Sequence, residues 1–223
     1  ANQNKDPQDQ LLWKMPMRRI EGDIIRDSIL AVSGGLNLKV GGPGVFPELD
    51  PGLIGLLEAS EKKEEQWRVT QDGPELWRRS VYVTQKRAVT APIMDLFDPP
   101  DLVSSCPKRN TTTVAPQALQ LLNDKFVIGQ STLFAERLRN EVGKNPIQQI
   151  HRAFLLSYGR PPDAKELEAS VEFLKDQATY HQRQIATLQE QGVDPADIPE
   201  PDKAALIDLC HSLFNSNEFI YVN

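Results

Sequence analysis

Between residues 167 and 188, Leu167, Val171, Leu174, Ala178, His181, Ile185 and Leu188 recur at alternating spacings of four and three. A strand alternates every second residue, so this spacing describes the apolar seam of one continuous helix about six turns long. Such a seam cannot be buried by its own helix. It needs a second helix alongside, which commits the chain to a mainly α architecture or to half of a projecting helical hairpin. Asp163 and Glu166 stand three apart before it, as in a capping box. Beyond it, Gly192 to Pro201 is an acidic, proline-bearing connector, and Asp202 is placed to cap a final helix carrying Leu206, Leu209, Cys210 and Leu213. Residues 164–215 therefore predict a long helix, a connector and a final helix.

The same period runs upstream. Thr113 predicts the cap of a helix with Leu119, Leu122 and Phe126 inward, continuing through Phe134 and Leu138. Asn145-Pro146 is a cap followed by a first-turn proline, opening a helix with Ile147, Ile150, Phe154 and Leu155 that ends at Gly159. Arg18 to Val32 predicts another, with Ile20, Ile24, Ile25, Ile29 and Val32 on one stripe and Gly34-Gly35 as its stop. Two stretches break the pattern. Residues 34–55 form a glycine- and proline-rich loop, followed by a solvated charged run from Glu58 to Glu65. Residues 91–112 form a second long loop, punctuated by Pro92, Pro99, Pro100 and Pro107. Residues 66–87 hold β-branched and aromatic residues on both sides of Asp72-Gly73-Pro74, which predicts a small β-hairpin insertion.

The chain has 223 residues, enough for one domain with a real core. Residues 1–10 are polar and are expected to be flexible. Leu11, Leu12 and Trp13 follow with nothing before them to bury them, so the chain is read as the C-terminal part of a larger domain. The net charge of −6 argues against nucleic acid, which needs a concentrated basic surface. No window approaches the roughly 18 apolar residues of a membrane span.

The motifs that carry chemistry are incomplete. Covalent haem attachment needs Cys-x-x-Cys-His, and Cys210-His211 supplies only its second half, with Ile207 where the first cysteine belongs. No haem is expected in this chain. His151, His181 and His211 lie about thirty residues apart, without the paired spacing of a zinc site. Asp95, Asp98 and Asp101 recur every third residue in a loop, but they lack the calcium-loop pattern, and aspartates before proline also favour turns, so no metal is expected. Two cysteines define no disulfide framework. Cys106 and Cys210 are open to pairing in an exported protein or to remaining as thiols.

What remains is a polar loop set. Asp98, Asp101, Cys106 and Glu218 are the catalytic candidates, with Lys108 and Arg109 beside Cys106 to favour its thiolate. Arg79, Tyr82, Arg109 and Asn110 are the binding candidates, because arginine beside aromatics suits acidic or glycan ligands. The competing use of the same arginines is internal. The Arg19, Arg79 and Arg109 side chains are expected to converge on acidic partners in the loop region.

Several longer strings fit together. They include Leu11-Leu-Trp-Lys-Met-Pro-Met-Arg-Arg-Ile-Glu, Ile25-Arg-Asp-Ser-Ile-Leu-Ala-Val-Ser-Gly, Arg78-Arg-Ser-Val-Tyr and Phe97-Asp-Pro-Pro-Asp. With them go the run from Cys106 to Asn123, Gly159-Arg-Pro-Pro, and Leu213-Phe-Asn-Ser-Asn-Glu-Phe-Ile-Tyr-Val. Together they resemble the planctomycete-specific C-terminal domain of unknown function found in exported, cytochrome c-like multidomain proteins. The resemblance implies export to the periplasm or cell surface, and upstream domains of the same polypeptide as partners. It also implies a haem in an upstream domain of some relatives. No catalytic residues carry over from the family.

Two functions compete. One is a non-catalytic interaction or scaffold module that positions upstream domains or binds a protein or glycan partner. The other is an extracellular enzyme domain acting on polysaccharide, with residues 98–110 as its site. Paired carboxylates about 5–10 Å apart across a cleft would mark the second.

Overall fold

The structure is a computed structural model. It describes residues 17–49, 67–71, 73–86, 91–100, 104–107, 109–190 and 198–222, together with Asp6, Gln10, Leu11, Trp13 and Met15. The expectations for most of residues 1–10, the charged run 58–65 and the connector at 191–197 lie outside the described residues.

Nine α-helices and one two-stranded sheet make up the described fold, so it is mainly α, with a small antiparallel pair of strands. β1 (Arg18–Arg19) leads into α1 (Gly22–Ser33). After α1 come the short α2 (Gly73–Leu76), a 3-10 turn at Ser80–Tyr82, and α3 (Pro92–Asp95). The larger helices follow as α4 (Ala115–Asn123), α5 (Lys125–Val142), α6 (Pro146–Tyr158), α7 (Ala164–Glu190) and α8 (Pro201–Phe214). The short α9 (Asn217–Ile220) and β2 (Tyr221–Val222) are the last described elements.

Local chemistry sets most helix ends. Asp124 accepts from Phe126 N and Asn145 from Gln148 N, which satisfies first-turn donors of α5 and α6. Gly34 (φ 86°) and Gly159 (φ 72°) close α1 and α6 in the left-handed conformation. Asp163 and Glu166 form the reciprocal capping box at α7: Glu166 N donates to Asp163 Oδ1 (2.8 Å) and Asp163 N to Glu166 Oε2 (2.7 Å). The seam from Leu167 to Leu188 lies within this single unbroken helix.

The core is centred on α5 and α8. Phe134 stacks on Phe214 at 5.5 Å, Phe219 leans on Phe214 at 5.2 Å, and Leu138, Leu206 and Cys210 close around them. α7 packs along α8, α1 along α5, and α6 bridges α5 and α7. Each buried Leu, Ile or Phe contributes about 2 kcal/mol through lost water contact. Polar links cross the α1–α5 face, where Ser33 Oγ donates to Gln130 Oε1 at 2.6 Å and Arg137 Nη1 donates to Ala31 O (3.0 Å) and Val32 O (2.9 Å). No helix among the described residues is long and apolar enough to cross a membrane.

Three sequence expectations change. The antiparallel strands are not at 66–87. They join the first and last described elements, with Arg18 opposite Val222 and Arg19 opposite Tyr221. Within 66–87 the described residues form α2, the 3-10 turn and isolated bridges from Arg78 to Asn37 and from Val83 to Val45. Pro74 supplies the preset φ of a helical first turn rather than of a hairpin turn. The helix expected from Arg18 begins at Gly22, because the two arginines are strand. The final helix begins at Pro201 with Glu200 in the N-cap position, which puts Asp202 in its first turn rather than at its cap.

Candidate functional site

Asp98 follows α3 and carries a left-handed backbone (φ 56°), a conformation aspartate tolerates better than most side chains. Its carboxylate is fully engaged. Arg19 Nη2 from β1 donates to Oδ2, and Thr112 gives both its N–H (2.8 Å) and its Oγ1–H (2.8 Å). The side chains of Arg19 and Asp98 are only 4% and 16% exposed. The Arg19 guanidinium also lies 4.9 Å over the Phe97 ring. Gln117 Nε2 completes the knot by donating to Leu96 O (2.8 Å) and Thr112 O (3.3 Å). Asp98 thus ties β1, the end of α3 and the approach to α4 to one another.

Arg109 reaches the opening of α1, with Nη1 2.8 Å from Asp23 and 3.0 Å from Glu21. Burial opposes its charge, but the hydrogen bond to Asp23 and the field of both carboxylates outweigh that, and its pKa lies above the ordinary value. Arg79 is exposed and stands 3.5 Å from Asp27, whose other oxygen accepts from Ser80 N (2.6 Å). Each of Arg19, Arg79 and Arg109 meets an acidic partner, but they do not converge in the loop region as expected: they pair separately with Asp98, with Asp27, and with Asp23 and Glu21. Asp23 and Asp27 belong to α1 and Glu21 is its N-cap, so only Asp98 comes from a loop.

Glu218 sits in α9 and is gripped by Arg160 through two bonds, of 2.7 and 2.6 Å. The same guanidinium takes both oxygens of Glu166 at 2.7 Å. One arginine thus clamps the start of α7 to α9. Its hydrogen bonds, joined by the Asp163 N–H, hold the Glu166 carboxyl down at about 2. Tyr82 is turned inward: its ring stacks on the Arg78 guanidinium at 3.7 Å and its hydroxyl accepts from Gly41 N at 2.9 Å. Cys106 and Asn110 are at the surface, and Asp101 lies outside the described residues.

Of the carboxylates proposed as catalytic from sequence, the two among the described residues each face a guanidinium: Arg19 for Asp98 and Arg160 for Glu218. No disulfide joins Cys106 to Cys210. Cys210 is enclosed in the core, where burial pushes its thiol up, and His211 Nε2 lies 3.3 Å from Leu121 O. No group of three or more His, Cys, Asp or Glu among the described residues is placed to hold a metal ion.

Sequence reasoning gave no role to Arg160, although it stands in the strings quoted above. It also missed a groove of about 650 Å³. The groove runs between α7, the N-termini of α6 and α8, and the end of α5. Leu174, Ala178, Ala205 and Leu206 give it apolar walls, and Arg139, Lys144, Lys175 and Arg183 line it as cations. No carboxylate pair or nucleophile–base pair lies among its described lining residues.

No curated protein and no solved structure matches this chain. A family model does, over residues 1–174, and that stretch stops within α7. α8, α9 and β2 fall beyond it yet fill the same core and pair with β1. With that stretch covering more than half of its length, the chain belongs to the PSD1 family of proteins of unknown function (DUF1553).

Proposed function

We propose that this domain is a non-catalytic interaction and scaffold module. The observation that carries the reading is the Asp98 knot. A group that takes or gives a proton is best left open to its partner, whereas the Asp98 carboxylate is largely enclosed and accepts from Arg19 and Thr112. Glu218 is bound in the same manner by Arg160. These residues act as struts between elements distant in sequence. The setting of the module follows from the resemblance. It is exported in planctomycetes and joined to upstream domains of its own polypeptide, one of them cytochrome c-like and haem-bearing. Its partners are those domains or an external protein or glycan.

Stability separates the two functions. Struts hold a fold together, whereas catalytic residues usually sit at a cost to stability, and their removal is neutral or stabilising. Asp98→Ala would leave the enclosed Arg19 guanidinium without its counter-ion, a loss of about 3–5 kcal/mol, or roughly 10 °C in Tm for a chain of this size. Glu218→Ala, at a more exposed pair, should lower Tm by less, and Cys106→Ser should leave it unchanged. Thermal melts of the three variants decide. Unchanged or raised Tm in both carboxylate variants would overturn the scaffold reading and return Asp98 and Glu218 to the catalytic candidates.

A further inference from the structure

We infer that the groove beside α7 is the docking site for an acidic amphipathic helix of a partner protein. The groove follows α7 from Val171 to Arg183, a span of about 18 Å or three helical turns. Its floor is apolar. Leu174 is almost fully buried, Ala205 and Leu206 are fully buried, and Val171 is partly open to solvent at one end. This is the surface that takes an amphipathic helix by its apolar stripe.

Charge identifies the partner. Four cations and one carboxylate, Asp202, are among the described lining residues, in a protein whose net charge is −6. Composition alone would make the walls acidic. The cations are spread over both walls: Arg139 and Lys144 on one side, Lys175 and Arg183 two turns apart on the other. A ligand with a single head group would engage one end only, whereas a helix with several carboxylates engages Lys175 and Arg183 together, two turns apart on the α7 wall. α6 and α8, of 13 and 14 residues, both begin at the groove, at Pro146 and Pro201, and their N-terminal dipoles favour negative charge there.

The chain itself supplies a precedent. Glu200, just ahead of α8, sets its carboxylate between Arg139 (2.6 Å) and Lys144 (3.3 Å), and the hydrogen bonds from these two cations hold its pKa below the ordinary value. A peptide carboxylate thus already rests on that wall. Lys175 and Arg183, both exposed, have no such partner among the described residues.

This inference rests on the interaction-module reading and fails independently of it, since the groove shares no residue with the Asp98 or Arg160 struts. The probe is a fluorescein-labelled synthetic helix of three turns with leucines along one stripe and glutamates flanking it. Matched peptides carry glutamine or lysine in place of glutamate. Fluorescence anisotropy against the full chain should show saturable binding of the glutamate peptide that weakens as salt rises. The glutamine peptide should bind about tenfold more weakly, and the lysine peptide not at all. Lys175→Glu combined with Arg183→Glu should cost the glutamate peptide about tenfold or more, and Val171→Asp should also weaken it. Both altered faces are solvent-exposed, and a circular-dichroism melt confirms that each variant folds. Should the charge-reversed variant not fold, the three-peptide comparison on the unaltered chain still decides. Equal binding of the glutamate and glutamine peptides, or no saturable binding of the glutamate peptide, would overturn the assignment while leaving the melts of the Asp98 and Glu218 variants to judge the scaffold reading.

Discussion

Arg78 has no exposed surface, and its two terminal nitrogens reach the carbonyl oxygens of Pro43, Gly41 and Lys39. Those carbonyls belong to the glycine-rich loop, where Gly41 and Gly42 take positive φ. A planar guanidinium can collect several carbonyls from one turn, which a lysine ammonium does poorly. Arg26 works the same way from α1, donating to Arg78 O (2.9 Å) and Leu76 O (2.7 Å), and burial lowers its pKa to about 10. Arg160 acts through charge instead, and this makes a pH prediction. The folded-state pKa of Glu166 is about 2, against an ordinary 4.5. A depressed carboxyl contributes stability that is complete above its unfolded pKa and is lost as pH falls through the folded value. The α7–α9 clamp should therefore weaken between about pH 4.5 and pH 2. Because the pair is largely solvent-exposed, the effect is modest. In urea melts, Glu166→Gln should be less stable than the unaltered protein at pH 7, with the gap closing towards pH 2. A gap independent of pH would show that the clamp works by packing alone.

At the scale of elements, two helical glycines test how closely the helices approach. Glycine inside a helix costs roughly 1 kcal/mol relative to alanine. Gly129 in α5 has nothing within 4 Å of where a Cβ would stand, so Gly129→Ala should stabilise by about that amount. Gly22 opens α1 against α3, and a Cβ there would meet Phe97 Cβ at 2.9 Å and Ile93 O at 3.0 Å. Neither neighbour is a flexible chain end. The helix gain should be overturned, and Gly22→Ala should destabilise by about 1–3 kcal/mol. Opposite shifts in urea midpoint for one and the same substitution would confirm that the α1–α3 approach is tight. Shifts of the same sign would refute it. Helix ends with a complete local signal were the most legible features of the sequence: the starts at Asn145-Pro146 and at Asp163 with Glu166 and the stops at Gly34 and Gly159 all stand, whereas the starts expected at Arg18, Thr113 and Asp202 moved. These signals are local, because a cap satisfies donors within its own first turn. Helix faces were less legible. The seam placed Leu119 and Leu122 inward on α4, yet they are 57% and 51% exposed, while Gln117 and Leu121 are buried. The Gln117 amide is needed at Leu96 O and Thr112 O, and turning it inward carries Leu121, one turn on, to the same face. The strand pair was illegible for a related reason: Arg18–Arg19 and Tyr221–Val222 carry no alternation and become strand only by meeting each other. The candidate site was half legible. Asp98, Arg109 and Thr112 are held in structural contacts, but two of their partners, Arg19 and the opening of α1, lie about 80 residues away in sequence.

Over the whole molecule, closure depends on the last stretch of chain. Ile20 N donates to Ile220 O at 2.9 Å, and β1 pairs with β2, so the first and last described elements lock together. Between them, α8 places Ala205, Leu206, Leu209, Cys210, Leu213 and Phe214 in the main core. All of these residues lie beyond position 174, where the family match stops. If the matched stretch were a self-sufficient folding unit, a chain of residues 1–174 would unfold cooperatively on its own. The packing says otherwise. Ending the chain at 174 removes α8 and most of α7, uncovers Phe134, Leu138 and Ala135 on α5, and leaves Leu167 and Leu174 of the α7 seam without their partner. At about 2 kcal/mol for each large apolar side chain lost from the core, the deficit is on the order of 10 kcal/mol, as large as the whole stability of a typical domain. Residues 1–174 alone should therefore lack a sharp thermal transition and should bind an apolar dye, while residues 1–223 melt in one step. Adding residues 201–222 as a separate peptide should restore part of the transition, because the β1–β2 pair and the α5–α8 face would re-form between two chains. A sharp, dye-free melt from residues 1–174 would mean that the family stretch folds by itself and that α8 is an addition to a finished core rather than a part of it.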